Sequence, residues 1–265
     1  MKEHNILNLI ESGKYHSCVI LGYSFDPIFF DEIVYPSLKR AGIVNIMLFA
    51  DYMMLEQSLD KMITHNFRKS DGYSICSIKT ETAFHPKVLQ LLGEKESFTL
   101  IGSGNPTFGG YSRNQELWFG FRTDLEDVTQ SHIVRDVWDY VTTVTVKSGG
   151  VVQKKLKMAE DHASWIKTVK QQGTNYAATD DNQDLLIFRN DDSGIYTKLT
   201  TALSDDKIQH ISVHSPFYDE KLTLLKAFSD DLAPKKIDVF IQPEYIVMPT
   251  QHIKSIVDPY FRTIV

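Results

Sequence analysis

Cysteine is scarce: Cys18 and Cys76 are the only two in 265 residues. Both sit in apolar, strand-like stretches, so the expectation is a pair of buried thiols in a reducing cytoplasm rather than a disulfide framework. No Cys or His spacing of the metal-ligating kind occurs, which leaves no metal and no cofactor to expect. Long hydrophobic runs are lacking as well. The longest apolar stretch, Ile43 to Leu55, is broken by Asn45 and Asp51, so nothing reads as a membrane span. The N-terminal MKEHNILNLIE mixes charges and has no signal-peptide core. A cytoplasmic protein without membrane contact is expected. Positive charge is also short, with 28 Lys and Arg against 34 Asp and Glu and a net charge of −6. That balance disfavours tight, non-specific nucleic-acid binding by the chain as a whole, while leaving room for a local basic site. Core material is plentiful. At 42% apolar residues the chain excludes disorder and suffices for one large domain or two modest ones.

Hydrophobic periodicity alternates between strand and helix. A short helix is expected over Glu3 to Glu11, and a buried strand over Ser17 to Leu21. Asp26-Pro27 then opens a helix to about Lys39, with Pro at its first helical position. A second buried strand is expected at Val44 to Phe49, a helix from Asp51 and a third strand at Tyr73 to Ile78. This alternation predicts an α/β fold with a mixed sheet flanked by helices.

The stretch from Phe84 to Glu116 carries the chemistry. His85-Pro86-Lys87 leads into the apolar run Val88 to Leu92; a turn at Gly93 to Ser97 follows, then Phe98 to Ile101 and Gly102-Ser103-Gly104-Asn105. Two short β runs about a polar, Gly-containing turn predict a hairpin. Side chains two apart in a strand share a face, so His85 and Lys87 point one way, and Ser103 and Asn105 share a face by the same rule. The glycines beside Ser103 are expected to let backbone N–H groups approach a ligand. A base or nucleophile, a fixed cation and neutral donors on one surface suit a phosphate group.

His-x-Lys followed by Gly-Ser-x-Asn resembles the signature of the phospholipase D superfamily, whose members include lipid phosphodiesterases, cardiolipin synthases, tyrosyl-DNA phosphodiesterases and endonucleases. The matching residues are His85, Lys87, Gly102, Ser103 and Asn105, with Glu116 further along. Many members carry an Asp five residues after the Lys; here Leu92 stands there, and since several nuclease members also lack the Asp, its loss argues against a typical lipase more than against catalysis. The resemblance implies a catalytic set of His85, Lys87, Asn105 and Glu116. It implies a phosphate cradle of Lys87, Gly102, Ser103, Gly104 and Asn105, with no metal. His85 would be the nucleophile that forms a phosphohistidine, or the general acid for the leaving oxygen. Lys87 and Asn105 would hold the non-bridging oxygens. Ser103 would donate to the phosphate or to a neighbouring side chain, and Glu116 would accept from the His85 ring and fix its tautomer.

Beyond the hairpin, Glu116 to Phe121 is expected to continue the sheet. Two helices follow, one on Val134, Val137, Trp138 and Val141, the other running from Leu156 through Val169, with Lys154, Lys155, Lys157, Lys167 and Lys170 as a solvated face. Gln171 to Gln183 reads as a linker. The opening pattern then returns. A strand at Leu185 to Phe188 and a helix at Thr197 to Leu203 precede the strand Ile208 to Val213 and Asp219. A helix on Leu222, Leu225 and Phe228 and the strand Ile237 to Ile241 follow. This reads as an internal duplication. The expected organisation is a first lobe over 1–125, a helical insert and linker over 126–180, and the opening part of a second, incomplete lobe over 181–265. His252-Ile253-Lys254 falls where a helix is expected, so the completing half-site should come from a continuation of a longer polypeptide or from another subunit, for instance in a homodimer. Of the other histidines, His210, His214 and His162 read as structural or surface residues.

The leading function is a metal-independent nuclease module with nucleic acid as substrate. The alternatives are a phospholipid phosphodiesterase or phosphatidyltransferase, and a non-catalytic binding or assembly domain of a defence or repair complex.

Overall fold

Strands β1 (Ser17–Gly22) and β2 (Asn45–Asp51) are buried along their whole length, which requires cover on both faces of their sheet. The computed structural model describes residues 6–11, 13–65, 67, 69–124, 131–169, 176–178, 184–190, 193–215, 218–240 and 261–264. It forms two compact units, Met1–Ile187 and Phe188–Val265.

The first unit is built on a six-stranded mixed sheet. β3 (Ser74–Ile78), β2 and β1 run parallel; β4 (Val88–Leu92), β5 (Glu96–Gly102) and β6 (Trp118–Asp124) continue antiparallel, in the order β3-β2-β1-β4-β5-β6. Alternation sends Cys18, Ile20, Ile46 and Leu48 to one face, against α1 (Ile6–Ile10) and the helical segment 27–40. Val19, Leu21, Met47 and Phe49 go to the other face, against α5 (Ser131–Val144) and α6 (Gly150–His162). The fold is thus α/β, with helices on both sides of a mixed sheet.

The helix expected from Asp26 to Lys39 starts as read. Asp26 accepts from the N–H groups of Ile28 and Phe29, and Pro27 occupies the first turn of α2 (Pro27–Phe29). It is not one regular helix. A π-turn spans Phe30–Val34 before α3 (Tyr35–Arg40). Pro36 has no N–H to offer the preceding turn, and the Tyr35 N–H reaches back to the Phe30 carbonyl, which widens the helix there. Asp51 caps α4 (Tyr52–Thr64) by accepting from the Met53 and Met54 amides.

Residues 131–169 are no separate insert. Asn45 Nδ2 donates to the Lys155 carbonyl at 2.8 Å, Gln90 Nε2 to the Val134 carbonyl at 3.0 Å, and Trp165 Nε1 to the Gly93 carbonyl at 3.1 Å. Three polar groups of the sheet are thereby met by this segment, and its apolar side covers one sheet face. The second helix also ends earlier than its periodicity suggests. Ala163 leaves the helical region, and a 3₁₀ turn, Ser164–Lys167, buries Ile166 and brings Trp165 to Gly93. Among the lysines read as a solvated face, Lys155 departs, because its ammonium lies on the sheet side and donates to the Ile46 carbonyl. Within the stretch read as a linker, β7 (Tyr176–Ala178) pairs antiparallel with β8 (Asp184–Leu186), so that strand closes a small ribbon in the first unit rather than opening a second lobe.

The second unit contains α7 (Ile195–Ala202), β9 (Ile211–His214), α8 (Thr223–Leu232), β10 (Ile237–Phe240) and β11 (Phe261–Ile264). Its strands run parallel in the order β11-β10-β9, the same arrangement and chain sense as β3-β2-β1. Asp219 accepts from the Thr223 amide ahead of α8, as Asp26 does ahead of α2. His252-Ile253-Lys254 lies outside the described residues.

Candidate active site

The carboxyl ends of β1 and β2, the start of β4 and the end of β5 meet at one end of the sheet in the first unit. Asp51 ties them together. One of its carboxylate oxygens caps α4 and the other accepts from the Phe84 N–H at 3.0 Å, which fixes the backbone just ahead of His85. The hairpin register pairs Val88 with Ile101, and the Gly102 N–H closes on the Lys87 carbonyl at 3.1 Å. Lys87 and the Gly102–Asn105 loop are therefore side by side.

His85 and Lys87 project to the same side. The Lys87 ammonium lies 3.0 Å from His85 Nδ1, 3.4 Å from Nε2 and 3.1 Å from the His85 carbonyl oxygen. His85 is exposed, whereas Lys87 is buried, at 8% exposure. Burial, together with the neighbouring Lys87 charge, pushes the His85 imidazole below its ordinary range. Burial also brings the Lys87 ammonium down to about 8, with the Glu116 carboxylate acting in the opposite direction.

Asn105 is held by its oxygen. Oδ1 accepts from the Tyr23 amide at 3.0 Å and the Ser24 amide at 3.3 Å. The carboxamide orientation follows, because only the oxygen can accept from two N–H donors, and its NH2 is left as a free donor among the described residues. Tyr23 also packs its ring against His85, with centroids 4.5 Å apart, so the Asn105 anchor adjoins the His85 side chain.

The Ser103 hydroxyl donates to Glu116 Oε2 at 2.5 Å and accepts from the Leu117 amide at 3.0 Å; Asn114 Nδ2 donates to Glu116 Oε1 at 3.2 Å. Glu116 therefore does not take the His85 ring, contrary to expectation. Both of its oxygens are engaged by the loop, and its effect on the site is a negative charge near Lys87. The loop amides also differ from expectation. The Gly102 N–H goes to Lys87 and the Ser103 N–H to the Leu117 carbonyl, both extending the sheet rather than facing a ligand. The glycines serve close packing instead. A Cβ on Gly102 would stand 2.4 Å from the Leu117 carbonyl oxygen, and one on Gly104 would stand 2.4 Å from that of Gly110.

Two residues were not singled out as site residues by the sequence. Asp51 reads as a helix opener, and Tyr23 lies between the first strand and the Asp26 helix start; only the fold brings each to a partner far along the chain. His162 stacks on His16 at 3.9 Å at the far end of β1. In the second unit, His210 Nε2 pairs with Asp238 at 2.8 Å and His214 stacks on Phe240. Among the described residues no group of His, Cys, Asp and Glu is arranged to hold a metal ion, and no helix is long and apolar enough to cross a membrane.

No family model and no curated protein matches the chain. Solved structures do resemble it. NucT from Helicobacter pylori overlaps with a TM-score of 0.37 and 18% identity, over 53% of this chain and 85% of its own. Nuc from Salmonella typhimurium, a phospholipase D family member, overlaps at 0.38 and 17%, over 52% and 83%. Yeast tyrosyl-DNA phosphodiesterase overlaps at 0.48 and 10%, over 90% of this chain and 62% of its own. All three fall below a TM-score of 0.5, and the chemistry of the site rests on its own geometry.

Proposed function

We propose that this chain carries one half-site of a phospholipase D-like phosphodiesterase acting on nucleic acid, as a nuclease module. The observation that carries the reading is the Lys87 ammonium 3.0 Å from the His85 ring, with Tyr23 joining that ring to an Asn105 amide whose NH2 is free to donate among the described residues. An ammonium can only donate, so the His85 nitrogen facing it offers a lone pair. That arrangement favours a neutral imidazole and hence the nucleophile role over that of general acid. In the proposed step that same lone-pair nitrogen, released as the Lys87 ammonium turns to the phosphate oxygens, forms a bond to phosphorus as the bond to the leaving oxygen breaks, while the other ring nitrogen keeps its proton. The departing alkoxide takes a proton from a second histidine. Water, deprotonated by that same histidine, then breaks the P–N bond and restores His85. Lys87 and Asn105 hold the non-bridging oxygens throughout, the part a divalent ion plays elsewhere, and Ser103 with Glu116 braces the loop that presents Asn105. The second histidine would come from chain outside the described residues or from another subunit.

Position 92 favours a nuclease. Leu92 is 1% exposed inside β4, paired with Ser17 and Ser97, and supplies no carboxylate to the site. One feature supports a lipid substrate as a second reading. Phe108, Leu117 and Phe119 stand 54%, 55% and 52% exposed on the segments that follow Asn105 and Glu116. The test is cleavage of single- and double-stranded DNA and RNA by the complete protein in EDTA, beside a phospholipid assay, with His85→Ala as control. Nucleic-acid cleavage that survives chelation and vanishes in the variant supports the proposal. Cleavage that chelation abolishes, or that the variant retains, overturns the mechanism. Turnover of phospholipid alone moves the assignment to the second reading.

A further inference from the structure

Tyr23 contacts three residues of this site, His85, Lys87 and Asn105. It follows directly on β1, at the turn where Gly22 lies so close to Pro106 that a Cβ there would come within 2.6 Å of the proline ring. The Asp26 amide donates to the Pro106 carbonyl at 3.2 Å, which locks the turn after β1 to the loop after Asn105. From this fixed point the Tyr23 backbone N–H reaches Asn105 Oδ1 at 3.0 Å. Its ring lies 4.5 Å from the His85 ring, inclined by 44°, and the Lys87 ammonium lies over it at 5.7 Å from the centroid.

We propose that Tyr23 is a positioning residue of the phosphate site: its ring holds the His85 imidazole and the Lys87 ammonium as a pair, and its backbone amide presents the Asn105 NH2. The proposal rests on the phosphodiesterase reading and adds a residue to it. An exposed histidine turns freely about its side-chain bonds. An aromatic neighbour removes that freedom, and the negative face of the same ring attracts the ammonium beside it. The Tyr23 hydroxyl has no hydrogen-bond partner among the described residues, so the ring, not the hydroxyl, does the positioning. The carboxylates whose charge acts on the pair are Asp51 at the head of α4, on His85, and Glu116, on Lys87.

Tyr23→Phe and Tyr23→Leu in the complete protein separate the possibilities. The readouts are the imidazole nitrogen resonances of His85, followed by NMR with and without inorganic phosphate, and kcat and KM for His85-dependent diester cleavage. The expected result is that Phe reproduces the parent tautomer, titration and rate. Leu should mix the His85 tautomers and lower kcat about tenfold, the order expected of one aromatic pair. KM and phosphate binding should change little, because the Asn105 contact comes from the backbone. The proposal is overturned if Phe loses as much as Leu, which would assign the role to the hydroxyl, or if Leu leaves the His85 resonances and kcat unchanged. The NMR comparison needs no turnover. Absence of any His85-dependent cleavage therefore defeats the proposed function, while the tautomer measurement still decides the role of Tyr23.

Discussion

The Lys87 ammonium sits 3.0 Å from His85 Nδ1, and burial together with that charge holds the imidazole's proton affinity down. A histidine that must be neutral to attack is paired with a lysine that must be charged to hold phosphate. His85 has a folded-state pKa below 6.5, so its active form gains as pH rises through that lowered value. Lys87 titrates at about 8, so its active form is lost as pH rises past that point. The expected kcat/KM profile of the complete enzyme is a bell, with its acid limb below 6.5 and its alkaline limb near 8. Measured from pH 5 to 10, a rate that stays flat through the alkaline range would contradict the assignment of Lys87.

Glu116 sets where that alkaline limb falls. Its carboxylate is the charge that raises the Lys87 pKa against the effect of burial. Glu116→Gln keeps an oxygen able to accept from Ser103 and removes the charge. The alkaline limb should therefore move to lower pH, with the acid limb less affected. Had Glu116 bonded the His85 ring, the acid limb would be the one to move, so the two limbs of a single profile distinguish the arrangements.

Asn105 is oriented by two backbone amides, and Asn105→Asp tests that orientation. The aspartate keeps an oxygen for the Tyr23 and Ser24 N–H groups, so the fold should be unchanged by circular dichroism and thermal unfolding. The free NH2 becomes a second oxygen carrying negative charge toward the phosphate. Loss of one such donor costs about 10²- to 10³-fold in kcat elsewhere, and the added repulsion should bring the variant to that level or beyond. Activity near the parent's would place the phosphate away from this residue.

The strands and most helix starts were legible because their signals are local. Alternating or continuous apolar runs mark β1, β2, β4 and β5, and Asp26-Pro27 and Asp51 mark helix caps. The proximity of His85 to Lys87 was legible too, since it follows from two-residue spacing. Less legible was anything that depends on where a second hydrogen bond goes. Nothing in the sequence shows that Glu116 would be occupied by Ser103 and Asn114, that the Gly102 and Ser103 amides would extend the sheet, or that Tyr23 would reach both His85 and Asn105. The role of residues 131–169 was hidden for a similar reason. An amphipathic helix declares an apolar face but not what that face covers.

Val19, Leu21, Met47 and Phe49 are at most 1% exposed, and the cover over their face is supplied by Val134, Val137, Trp138, Val141, Val152 and Leu156. A chain ended at residue 125 would open that face to water and leave buried Asn45 and Gln90 without the helix carbonyls they donate to. Such a fragment is expected to be insoluble or molten, with no cooperative unfolding transition. A milder test is Trp138→Ala. Trp138 is 1% exposed on α5, and its ring N–H donates to Glu160 on α6 at 3.1 Å, so truncation removes core volume and a contact between the helices. The expected cost is about 3–5 kcal/mol, on the order of 10 °C in melting temperature for a unit of this size. Because this face lies behind the strands that carry the site, the His85 and Lys87 limbs of the pH profile should survive in whatever fraction remains folded. A variant that melts like the parent would mean that the helices are an appendage to the sheet and not half of its core.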